Sequence, residues 1–188
     1  PPWVTDVITA QAAGFNNYPP NEGSPELRSS FCAWLGRRYG VSMDLDTHVM
    51  PLNGTREGLY NAGMALCPEE KNGQRPVVLM PNPFYQVYML AAISAGAEPV
   101  LVPATAETGH LPDFASVDEA LLNRAVACYM CSPANPQGAV AGAAYWRDLI
   151  ALAERYDFQV FADECYSEIY RDVPPVGVLE CLEGADPA

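Results

Sequence analysis

The feature that most constrains this chain is an alternation between two kinds of run. Short apolar, often β-branched runs at residues 48–52, 77–80, 99–102, 125–131 and 158–162 are separated by stretches with helical spacing at 56–67, 85–95, 116–123 and 144–156. Such alternation predicts an α/β fold, with a mostly parallel sheet and helices on both faces. Ahead of it, Ser24 suits an N-cap, Pro25 the first helical position and Gly40 the stop. A helix is therefore predicted over 24–39, with Leu27, Phe31, Trp34, Leu35 and Tyr39 on one face.

Open α/β sheets bind ligands beyond the carboxyl ends of their strands, so the residues after each run are where a site is expected. Asn53-Gly54-Thr55-Arg56 follows the first run, and Pro81-Asn82-Pro83-Phe84-Tyr85 the second. Ser132-Pro133-Ala134-Asn135-Pro136-Gln137-Gly138 follows the fourth, and Asp163-Glu164-Cys165-Tyr166 ends the fifth. Gly54-Thr55 at a strand-to-helix junction offers free backbone N–H groups to an anion. Tyr85 can lie over a flat heteroaromatic ring. Asp163 emerges from the apolar run Phe-Gln-Val-Phe-Ala, where a carboxylate is costly to desolvate and needs a partner such as a protonated ring nitrogen. Tyr166, three residues on, can reach an oxygen on the same ring. Taken singly, each has a plainer use: an N-cap turn, a core aromatic, an Asx turn at Asn135, a helix cap at Asp163.

Charge and composition exclude several classes. The net charge of −13, from 23 acidic against 10 basic residues, repels nucleic acid and anionic lipid. No apolar run approaches the ~18 residues of a membrane span. No GxGxxG occurs, and Lys71, the only lysine, cannot complete a GxxxxGK[ST]. Cys128 and Cys131 form a lone CxxC on a predicted strand, where positions three apart point to opposite faces, so free thiols are expected rather than a metal clip. Free thiols suit the reduced cytoplasm. The N-terminus, Pro1-Pro2-Trp3, has neither an initiator Met nor a signal-peptide layout and reads as a chain entered partway.

Taken in order, the phrases "NYPPNEGSPELR", "LNGTREGLYNAG", "VVLMPNPFYQVY", "CSPANPQGAV" and "FADECYSEIY" resemble the class I/II aminotransferases of the fold-type I pyridoxal-phosphate enzymes. The wording is most similar to N-succinyldiaminopimelate aminotransferases, and the likeness runs from Tyr18 to Tyr170. The resemblance implies pyridoxal 5′-phosphate as cofactor. Gly54, Thr55 and Arg56 would sit at its phosphate, mainly through backbone amides, and Tyr85 would stack on the pyridine. Asn135 and Tyr166 would bond the 3′ oxygen, and Asp163 would pair with the ring nitrogen. Tyr18 would reach the phosphate of a neighbouring subunit in a homodimer.

It further implies a segment at 1–40 leading into a large cofactor-binding domain at 41–188. This domain stops short of the lysine that carries the cofactor, and the small C-terminal domain is absent. Lys71 reads as solvated surface in Pro-Glu-Glu-Lys-Asn-Gly-Gln. Gln137 stands where the family commonly has threonine. The expectation is an N-terminal fragment, inactive alone, of a cytoplasmic enzyme passing an amino group between an amino acid and a 2-oxo acid. A C–S lyase or decarboxylase of the same fold would use the same residues. The aminotransferase-like sensor of a regulator also stays open.

Overall fold

The computed structural model describes residues 1–182. The chain divides into two compact units, Pro1–Arg38 with Ser42–Pro51, and Tyr39–Val41 with the residues from Leu52 onward. The first holds helix α1 (Trp3–Ala10), a 3-10 turn (Ala12–Asn16) and nearly all of helix α2 (Pro25–Tyr39). At the start of α2 the Ser24 hydroxyl accepts from Leu27 N–H at 3.2 Å. The chain leaves that helix through Gly40 at φ 72°, a conformation that favours glycine. Helix α1 is not among the elements expected from the sequence, although Trp3, Val4, Val7 and Ile8 recur at helical spacing; it is only two turns long, and Trp3, Val7 and Ile8 are exposed.

The strand expected at 48–52 does not form. Asp44 Oδ1 accepts from the backbone N–H groups of Asp46 (2.9 Å) and Thr47 (3.0 Å) and from the Thr47 hydroxyl (3.1 Å). His48 N–H returns to the Asp44 carbonyl at 3.0 Å, while His48 Nδ1 accepts from Asp44 N–H at 3.0 Å. This turn gives the backbone local partners in place of a sheet ladder, and Pro51 has no N–H to offer one. The same donors, the Asp46 N–H foremost, hold the Asp44 carboxyl below its usual range.

The second unit is built on four parallel strands in the order β2-β1-β3-β4. They are β1 (Val77–Asn82), β2 (Glu98–Pro103), β3 (Ala125–Cys131) and β4 (Gln159–Asp163). Among the described residues the unit also holds helices α3 (Thr55–Leu66), α4 (Gln86–Ser94), α5 (Glu119–Leu122) and α6 (Ala143–Tyr156), and a 3-10 turn at Val178–Cys181. The helix expected over 116–123 is shorter, since a 3-10 turn at Phe114–Ser116 precedes α5 and Asp118 caps α5 by accepting from Ala120 N–H at 2.7 Å.

Successive residues of β1 feed opposite cores, as the strand period requires. Val78 and Met80 pack with Tyr88, Ala91 and Ala92 of α4 and Leu59 of α3. Val77 and Leu79 pack with Trp146 and Leu149 of α6 and with Phe158. A sheet covered on both sides explains why β1 and β3 read as nearly unbroken apolar runs. Cys128 belongs to the α6-side core, whereas Cys131 opens onto a cleft at the strand ends, so the two thiols do face apart.

Lys71 is not a solvated side chain. Its Nζ donates to the carbonyls of Ala125 (2.7 Å), Tyr156 (2.6 Å) and Asp157, joining the start of β3 to the end of α6. Asn72 and Gly73, at φ 54° and 70°, turn the chain between Lys71 and Gln74 and so aim the lysine inward. Burial lowers its ammonium from the ordinary lysine range. Lys71→Met strips three carbonyls of their donor and is expected to cost roughly 1–3 kcal/mol. Thermal unfolding checks this as a fall of roughly 2–12 °C, and an unchanged midpoint would count against the assignment.

Candidate active site

The strand order turns back on itself between β1 and β3, since β1 is followed outward by β2 on one side and β3 by β4 on the other. At such a switch point the loops leaving adjacent strands diverge and open a crevice. A cleft of about 390 Å³ lies there, walled by Pro81 near the end of β1 and Tyr85 after it, Ala104 after β2, Cys131 at the end of β3 with Ala134–Gln137 after it, and Asp163, Cys165 and Tyr166 at the end of β4.

One end is the first turn of α3. Gly54 caps it at φ 113° and ψ 140°, a backbone state that side chains rarely adopt, and Thr55 lines the cleft. The first N–H groups of a helix have no intrahelical acceptor, so this turn presents donors and the positive end of the dipole. No regular strand leads into the turn. Leu52 instead packs against Gly58, where a Cβ would come within 2.1 Å of Leu52 Cδ1. Arg56 turns its side chain to Tyr85: Nε donates to the phenol oxygen at 2.9 Å, and the guanidinium carbon is 6.0 Å from the ring centroid. That contact fixes the Tyr85 ring at the cleft wall.

The opposite wall is the loop after β3. Gly138 N–H donates to the Ala134 carbonyl at 2.7 Å, Ala134 N–H to Ala139 at 2.8 Å, and the buried Ser132 hydroxyl accepts from Ala141 N–H at 3.0 Å. The peptide bonds before Pro133 and Pro136 are cis, as is the one before Pro83. The loop's hydrogen bonds hold Asn135 at the rim, with Nδ2 donating to the Tyr166 hydroxyl at 3.2 Å.

Asp163 is 9 % exposed at the end of β4. Its Oδ2 accepts from the Tyr88 hydroxyl at 2.6 Å, while Oδ1 receives a long 3.4 Å contact from Cys165 N–H. It caps no helix, because residues 165–168 form a turn. The neighbouring Glu164 is used structurally, accepting from the Tyr39 hydroxyl (2.9 Å) and from Val178 N–H (2.6 Å). Asp163 is therefore the carboxylate that faces the cleft with acceptor capacity to spare. Donors at one end, a flat aromatic wall and a buried carboxylate together suit a planar, anionic heterocycle with a protonated ring nitrogen.

Thr55, Tyr85, Asn135, Asp163 and Tyr166 thus surround one cleft, with Gly54 and Arg56 directly behind it. Tyr18 belongs to the N-terminal unit, where its side chain is fully exposed. Lys71 lies at the amino ends of the strands, about 20 Å of β3 away from Asp163. Sequence reasoning missed Tyr88, His110 and Cys131 as cleft residues. Tyr88 carried a signal, since it lies one helical turn past Tyr85 at the mouth of a strand-to-helix junction. His110, at φ 62° in the loop after β2, carried none.

Known proteins are similar to this chain in sequence and fold. The structure is similar to the crystal structure of an aminotransferase from Neisseria meningitidis Z2491, with a TM-score of 0.90 and 36% identity over 96% of this chain and 46% of that one. An LL-diaminopimelate aminotransferase of Dehalococcoides mccartyi is 36% identical over 88% of this chain and 42% of its own length. Transaminase BacF of Bacillus subtilis is 31% identical over 96% of this chain and 44% of its own. The chain spans less than half the length of these relatives. Residues 3–184 match the model of the family described as aminotransferase class I and II, whose members depend on pyridoxal 5′-phosphate, and by that match this chain belongs to the family.

Proposed function

We propose that this chain is the cofactor-cradling, N-terminal part of a transaminase that exchanges an amino group between an amino acid and a 2-oxo acid. The observation that carries the reading is Asp163: a nearly buried carboxylate at a strand end, lining the cleft, with one oxygen held by Tyr88. When bound, pyridoxal phosphate supplies a sink for the electron pair released at the substrate's α-carbon. The residues do the rest. Asp163 holds the proton on the ring nitrogen through a Coulomb attraction of roughly 4 kcal/mol at 4 Å and an effective dielectric of ~20.

Tyr85, pinned by Arg56, covers one ring face and keeps water from it. Asn135 and Tyr166, already bonded to each other, orient the 3′ oxygen. Gly54, Thr55 and Arg56 hold the phosphate through the first turn of α3, and Tyr18 serves the neighbouring subunit of a homodimer. In finer detail, the substrate is a diaminopimelate-type diacid, with or without an N-succinyl group, and glutamate is the donor. The five matched phrases and the name of the Dehalococcoides relative support that choice.

Lys71 has no part in the chemistry, because its amine is committed to three carbonyls. Pyridoxamine 5′-phosphate, which needs no covalent bond, is expected to bind this chain reversibly. Pyridoxal phosphate followed by borohydride is expected to leave Lys71 unmodified in a peptide map, with no transaminase turnover. An adduct at Lys71 would overturn its exclusion. Absence of pyridoxamine phosphate binding would sink the cofactor reading.

A further inference from the structure

We propose that Tyr88 is a positioning residue for Asp163, and that Tyr129 stacked behind it ties this carboxylate to the helix bearing the Gly54–Thr55 turn. The inference deepens the cofactor reading above and rests on it.

Tyr88 comes from α4, is 1 % exposed, and donates to Asp163 Oδ2 at 2.6 Å. Its ring stacks on Tyr129 with centroids 4.5 Å apart and planes 9° from parallel, and Tyr85 meets it edge-on at 5.7 Å. Tyr129, from β3, is wholly buried and donates to the Leu59 carbonyl of α3 at 2.8 Å. Gly63 makes room for this. A Cβ there would come within 2.4 Å of the Tyr129 hydroxyl and 2.9 Å of Ala91 Cβ. The path therefore runs from the carboxylate through two stacked phenols to α3, whose first residue is Thr55. It joins the two ends of the cleft with side chains that have only two rotatable bonds each.

A carboxylate at a strand end can rotate about its terminal bond. A donor on Oδ2 restrains that rotation and so fixes how the carboxylate is presented at the cleft. The titratable groups around Asp163 are Tyr88 from α4, Cys131 from β3 and Cys165 from its own turn. Burial, and then the bond to Asp163, push the Tyr88 phenol far up, so it stays a neutral donor. Burial, followed by the charge of Asp163, pushes the Cys131 thiol to about 11 and the Cys165 thiol to about 12. Tyr88 is thus the firm hydrogen-bond donor of the cluster.

The test uses this chain and pyridoxamine 5′-phosphate. Tyr88→Phe keeps the ring and the stack, and is expected to weaken binding about 5- to 10-fold, less than for a direct bond to a charged group. A merely structural tyrosine would lower the melting temperature and leave affinity within about 2-fold of wild type at temperatures where the variant is fully folded, whereas a positioning tyrosine loses affinity there. Tyr129→Phe, which keeps the stack but cuts the bond to Leu59, should weaken binding about 2- to 3-fold.

If Asp163→Asn weakens binding at least about 30-fold while Tyr88→Phe stays within about 2-fold of wild type, the Tyr88 proposal fails and the cofactor reading stands. If Asp163→Asn binds like wild type, the cofactor reading falls and this inference with it. A cofactor-free arm completes the set. Thermal unfolding of Tyr88→Phe, Asp163→Ala and the double variant should be non-additive, and strict additivity would overturn the proposed coupling.

Discussion

Asp163→Asn is expected to weaken pyridoxamine 5′-phosphate binding by roughly 30- to 1,000-fold, the largest loss from any single polar change in the cleft. Asparagine has nearly the shape of aspartate and can still accept from the Tyr88 hydroxyl, so the fold should survive. What it loses is the charge facing the ring nitrogen. The ideal attraction is about 4 kcal/mol at 4 Å, and solvent reaching the open cleft reduces this to roughly 2–4 kcal/mol. A ring nitrogen that has lost its counter-charge also gives up its proton at lower pH, so the bound cofactor's absorption should become pH-dependent nearer neutrality. Isothermal titration with spectra across pH reads both effects. Equal affinity and unchanged spectra would show that the carboxylate does not contact the ring.

Trp146→Ala is expected to have the largest effect on stability, about 3–5 kcal/mol. Trp146 is wholly buried in the α6-side core, its ring meets Tyr145 edge-on at 6.2 Å, and its indole N–H donates to the Val176 carbonyl at 3.2 Å. Truncation leaves a cavity between α6 and the sheet and deprives Val176 of its donor. For a chain of this size the midpoint should fall by roughly 6–20 °C. Trp146→Phe fills most of the space but makes no hydrogen bond, and should cost less than half as much. Should Trp146→Ala unfold within about 1 kcal/mol of wild type, α6 is not the cover of that face.

The central part of the fold was legible because its strands are buried on both sides. Continuous apolar runs such as Val-Val-Leu-Met at the start of β1 have few other uses, and Ser24, Pro25 and Gly40 bracket α2 with conventional cap chemistry. The run at 48–52 misled because its apolar content matches a strand while its fate is decided by Asp44, several residues earlier. A side chain that satisfies three local donors withdraws the segment from any sheet. That Asp163, Tyr85 and Asn135 would line one cleft was legible because residue type and strand end coincide there.

Residue order alone thus determined the class of fold, the ends of the strands at which polar residues gather, and the presence of a single lysine. The fate of that lysine belonged to the tertiary structure, which turns it into three carbonyls at the amino ends of the strands. So did the partner of Asp163, since Tyr88 lies 75 residues away in sequence and meets it only when α4 folds back over β1 and β3. The physical reason is the same in both cases. Local spacing reports which face of an element is apolar, but the polar atom that satisfies a buried group can come from anywhere in the chain, and packing alone selects it.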